Sequence, residues 1–130
     1  MNIWDKYIMP FILSVGAFFA PTYEFILLIG LLIAADLLTA IIAAHKAGEP
    51  IKSAKLARTV GKFLVYGTAL IVSHVVCNKF ISSFPGLQIM AGFITFVEVK
   101  SIDENIKKFT GFSLFGTILE KLKPKKQSND

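Results

Sequence analysis

The sequence holds a single cysteine and two histidines in 130 residues, which leaves little room for metal or redox chemistry. Cys77 lies in an apolar stretch with no second thiol to pair with, so it reads as a small apolar residue. His45 and His74 are far apart and lack ligand-like companions, so neither a metal nor a cofactor is expected. There is no phosphate loop, no nucleophile beside a base, and no pair of carboxylates flanking a cleft, and an enzyme is therefore set aside. No Gly/Ser-rich or Pro-rich linker divides the chain. Acidic residues are the scarcer charge, nine against 14 basic ones. The basic residues flank hydrophobic stretches instead of forming a face of their own, which points to lipid headgroups and away from nucleic acid.

What the sequence has in abundance is apolar length. Hydrophobic residues make up 54% of the chain and the mean hydropathy is +0.62. The charges are gathered into short stretches, so whole segments are apolar all round. Such segments need a large core or a lipid environment, and a chain of 130 residues cannot build the core. The fold class expected is an all-α integral membrane protein, a bundle of about four transmembrane helices.

The spans fall near 7–23, 25–44, 63–78 and 84–99. The first, YIMPFILSVGAFFAPTY, has 17 residues, about the minimum for a ~30 Å hydrocarbon core. Trp4 and Tyr7 at one end and Tyr23 at the other fit aromatic belts. The second, FILLIGLLIAADLLTAIIAA, has one interruption, Asp36. Its 12 Leu, Ile and Phe residues favour insertion by about −4 to −7 kcal/mol, against about +3 for one central aspartate. Residues 45–62 form a basic loop in which 51–61 either lie along the membrane surface as a short interfacial helix or extend the helix that follows. Residues 1–111 thus make a transmembrane domain. Residues 112–130 make an amphipathic basic cytoplasmic tail, with Phe112, Phe115, Ile118, Leu119 and Leu122 at helical spacing.

Four spans would place 13 of the 14 Lys and Arg residues on one side. That bias predicts a multi-pass protein with both termini inside. The basic residues expected at lipid headgroups and the cytoplasmic face are Lys46, Lys52, Lys55, Arg58 and Lys62 in the loop, and Lys121, Lys123, Lys125 and Lys126 in the tail.

Polar residues inside the spans are the candidate functional groups: Asp36, His74 and Glu98. Asp36 either lines a water-filled path or holds helices together, and counting from the helix ends places His74 at a similar depth as a partner. Gly16 with Ala20, Gly30 with Ala34, and Ala69 with Ser73 are small-xxx-small pairs that allow close helix approach and favour a homo-oligomer.

Residues 35–66, ADLLTAIIAAHKAGEPIKSAKLARTVGKFLVY, and 96–111, FVEVKSIDENIKKFTG, resemble the toxin-secretion/phage-lysis holin family. The family pattern has a membrane Asp before a basic helix that begins Ser-x-Lys, then Glu-x-x-Ser-Ile-x-Glu-Asn after the last span. Asp36, Ser53, Lys55, Leu56, Gly61 and Lys62 match the first part; Glu98, Ser101, Ile102, Glu104 and Asn105 match the second. The resemblance implies a phage-encoded protein of the bacterial cytoplasmic membrane that oligomerises and permeabilises it. Endolysin then reaches the cell wall, a functional partnership without direct contact. A small oligomeric ion channel or transporter, or a membrane anchor for a cytoplasmic partner, are the other classes compatible with the residues.

Overall fold

The computed structural model describes residues 2–124; Lys125 and Lys126 of the basic tail lie outside them. Among the described residues all regular structure is helical. A π-helical turn, Trp4–Ile8, runs without a break into α1, Met9–Lys46. α2 is Ser53–Lys79, α3 is Gly86–Thr110 and α4 is the short Leu114–Leu122.

The segments 7–23 and 25–44, expected as separate spans, therefore form one helix. Only Glu24 divides them, and it does not end a helix. Pro21 removes one backbone donor, but the Thr22 hydroxyl donates to the Phe19 carbonyl at 2.6 Å, and one lost bond does not stop a helix of this length. The central interfacial helix also merges with its neighbour. From Ser53 to Lys79 there is no proline, so residues 53–61 are the first turns of α2. α3 contains residues 86–99 of the fourth segment and continues well past them. Lys100, Glu104 and Lys108 follow one another at four-residue spacing, which supports a helix. It stops at Gly111, whose φ of 74° is the left-handed conformation that glycine adopts without strain. The tail helix is present as α4, capped by Ser113, whose hydroxyl accepts from the Gly116 N–H at 2.9 Å.

α1, α2 and α3 form an up-down-up bundle in which each helix touches the other two. Ile29 and Ile33 of α1, Leu70 of α2, and Leu87, Ala91 and Ile94 of α3 make its apolar core. The outer faces are apolar too: Leu27, Leu31, Leu64, Val65, Phe93 and Phe96 are each at least half exposed. A continuous apolar exterior of this extent marks a surface meant for lipid or another protein. α1 with its leading turn, and α2, are long and apolar enough to cross a membrane.

The bundle has two unlike ends. At one, the end of α1, the start of α2 and the end of α3 bring together Lys46, Lys52, Lys55, Arg58, Lys107 and Lys108, the basic end. At the other, the loop after α2 returns at the level of Pro21. Beyond it α1 continues alone: every residue from Asn2 to Ala17 except Ile8 is exposed.

Candidate functional site: an ion network at the basic end of the bundle

Each of the three long helices contributes one charged residue to a single contact. Asp36 comes from α1, ten residues before its end, Lys62 from the third turn of α2, and Glu98 from the middle of α3. The Lys62 ammonium donates to Asp36 Oδ2 at 2.7 Å and to Glu98 Oε2 at 3.1 Å. Glu98 is fully buried, and its other oxygen accepts from the Tyr66 hydroxyl at 2.8 Å. The Asn105 amide donates to Asp36 Oδ1 at 3.0 Å, and also reaches Thr39 Oγ1 at 3.3 Å.

Spacing explains the convergence. Lys62 and Tyr66 are one turn apart on α2 and so share a face. Glu98 and Asn105 are two turns apart on α3 and face the same way. Among the described residues no buried side-chain nitrogen or oxygen lacks a partner. Two carboxylates share one ammonium, so with all three charged the trio carries one net negative charge. Removing one member of such a contact is far more damaging than the contact is stabilising, because the remaining charges stay buried without compensation. The network joins the three helices at one relative rotation and height.

Asp36 and Glu98, singled out from the sequence, are thus brought together. His74 is not with them. It is buried near the opposite end, where it meets the Phe18 carbonyl through Nε2, and its Nδ1 accepts from the Asn78 amide at 2.9 Å. These partners assign the proton to Nε2, since a carbonyl can only accept. Lys62, read from the sequence as a flanking headgroup residue, proves to be the centre of the site. Tyr66 carried no polar signal of its own. Of the residues that carry the family resemblance, Asp36, Lys62, Glu98 and Asn105 form the network, and Lys55, Ser101 and Glu104 line the cavity beside it.

The small residues divide. Gly30 packs against α2, its Cβ position 3.6 Å from the Phe63 ring. Ala69 and Ser73 are half-buried, whereas Gly16, Ala20 and Ala34 are exposed.

A third acidic residue of the bundle, Asp103, was not singled out from the sequence. It is buried on α3 and binds the start of α4: it accepts from the Ser113 hydroxyl at 2.6 Å and from the Leu114 N–H at 2.6 Å. These bonds, the Ser113 hydroxyl foremost, hold its carboxyl below the usual carboxylate range. A lowered value means that the docked form gains stability from this group above the ordinary carboxylate range, and loses it as pH falls through the lowered value. Asp103→Ala should therefore release α4 at neutral pH without unfolding α1 to α3. Hydrogen exchange at the amides of residues 114–116 checks this, and unchanged protection there would refute it.

Residues 14–124 match the model of the Bacteriophage holin family. No curated protein and no solved structure gives a significant match.

Proposed function

Because the chain belongs to the bacteriophage holin family, we propose that it accumulates in a bacterial cytoplasmic membrane, assembles with copies of itself, and opens that membrane so that an endolysin reaches the cell wall. The observation that carries this reading is the contrast within the bundle. Its outside is apolar along all three long helices away from the basic end, while its inside holds Asp36, Lys62 and Glu98, groups that gain by facing water once helices separate. Such a protomer is stable alone in lipid and has polar faces to offer a hole.

With α1 one helix, we count α1, α2 and α3 as one crossing each, which puts the termini on opposite sides. We set the hydrocarbon boundary near the level of the ion network, since the charged residues of the basic end, among them Lys46, Lys52, Lys55, Arg58, Lys107 and Lys108, lie beyond it. α4 supports that depth: an amphipathic helix belongs at the interface, and Asp103 fastens it there. With this boundary, 12 Lys and Arg residues lie on the basic side, which is the cytoplasm, and Lys6 and Lys79 on the other. The amino terminus is then outside. Proteolysis of an amino-terminal tag in intact spheroplasts reads this directly, and a protected tag would restore an even number of crossings.

The test of function is expression in bacteria. Growth should stop abruptly after a delay, and a co-expressed peptidoglycan hydrolase without its own export signal should then lyse the culture. Sustained growth with an intact membrane potential would sink the proposal, and a flux limited to one ion would move the chain to the channel class.

A further inference from the structure

Beside the ion network, on its cytoplasmic side, lies a cavity of about 680 Å³ between the last turns of α1, the first turns of α2 and the last turns of α3. Its size is that of a small-molecule site. One wall is made of alanines of α1, including Ala40, Ala43 and Ala44, and its floor is Asp36 with Lys62. A smaller cavity of about 290 Å³ shares Glu49, Lys55 and Arg58 and continues past Lys52 along the first turn of α2. The side chain of Lys52, at the N-cap, makes no hydrogen bond to that turn.

The charges facing this space decide what it can hold. Lys55, Arg58 and Lys108 line it with no carboxylate within ion-pair distance among the described residues. Glu49 and Glu104 line it as well, Glu49 bordering the smaller cavity together with Lys55 and Arg58, and the network below adds one net negative charge. Three positive charges are thus balanced by three negative ones. A polyanion gains little from so balanced a site, whereas a ligand bearing both signs gains from both sets of charges. The depth of the cavity, at the cytoplasmic boundary of the hydrocarbon, is where phospholipid headgroups are found.

We propose that the cavity binds one zwitterionic phospholipid headgroup, with its phosphodiester on Lys55 and Arg58 and its primary ammonium on Glu104 and Glu49. Phosphate is the shared chemistry with a free anion; the ammonium sets the lipid apart. A carboxylate holds a primary ammonium through N–H donors, which a quaternary ammonium lacks. Quaternary ammonium sites use aromatic faces instead, and none of the described residues lining this cavity is aromatic. An ethanolamine headgroup is therefore selected over choline, and over glycerol, which brings no positive charge.

The inference rests on the membrane reading and not on hole formation, so a chain that fails to stop growth can still retain the lipid. The test uses the full chain, purified and delipidated in an uncharged detergent, with short-chain ethanolamine, choline and glycerol phospholipids added in turn. Bound lipid is counted by native mass spectrometry. One ethanolamine lipid per chain is expected, held about tenfold more tightly than choline. Lys55→Gln with Arg58→Gln should weaken retention of every headgroup about tenfold. Glu104→Gln should remove only the advantage of ethanolamine, and Lys121→Gln with Lys123→Gln should change nothing. Equal retention of the three headgroups, equal loss in the tail variant, or displacement by inorganic phosphate at the lipid's own concentration would each overturn the proposal.

Discussion

Lys62→Met should destabilise the bundle by about 3 kcal/mol, the lower end of what removing one partner from a buried ion contact costs. The lower end applies because the Lys62 and Asp36 side chains keep 21% and 14% of their exposure. Without the ammonium, Asp36 and Glu98 share the contact between the three helices with no cation between them. Glu98 suffers most, since its side chain is fully buried and keeps only the Tyr66 hydroxyl. The distinguishing result lies in the compensated variants. Lys62→Met combined with Glu98→Gln and Asp36→Asn removes every charge while keeping shape and hydrogen-bonding groups, and should recover most of the loss. Lys62→Arg keeps the charge but spreads it over a planar fork, and should fall between. Unfolding of the purified chain by SDS in mixed micelles, followed by circular dichroism, measures each. A single Lys62→Met variant within about 0.5 kcal/mol of the parent would show that the contact is an exposed ion pair of no consequence.

The second large effect is expected at the other end of the bundle, where the chain turns from α2 into α3. Gly86 is buried at the first position of α3, and a Cβ there would collide with the Cys77 sulfur and come within 3.3 Å of the Phe84 ring. The tight approach of the two helices thus depends on having no side chain at 86. Gly86→Ala should cost about 1–3 kcal/mol through overpacking. The repair is specific: Cys77→Ala removes the colliding atom, so Gly86→Ala with Cys77→Ala should be close to the parent in the same SDS titration. If the double variant is no better than the single one, the clash is not the cause.

How much of this was legible in the sequence depends on the kind of signal. The apolar segments and the amphipathic tail helix follow from composition and periodicity, which are local. Asp36 and Glu98 stand out because a carboxylate in an apolar run is costly wherever it lies. Lys62 does not stand out, because a lysine at the edge of an apolar run is what any flanking residue looks like; only the tertiary fold turns it inward. The pairing expected between Asp36 and His74 fails for a related reason. Depth was counted from the ends of the apolar runs, yet α2 begins at Ser53 and not near Phe63. His74 is 21 residues from the start of α2, while Asp36 is ten from the end of α1. At ~1.5 Å per residue, the two lie roughly 15 Å apart in height. The merging of the first two segments shows the opposite bias. Pro21 invites a break, but a helix with dozens of other backbone bonds bends around one proline instead of ending there.

The lone stretch of α1 beyond the bundle has a bearing on the membrane itself. Level with the network a protomer displaces the cross-section of three helices, each roughly 10 Å wide; past Pro21 it displaces that of one. In the proposed orientation such a tapered body would take more area from the inner leaflet than from the outer. A raft of aligned copies would accumulate that difference as curvature stress, growing with every protomer added.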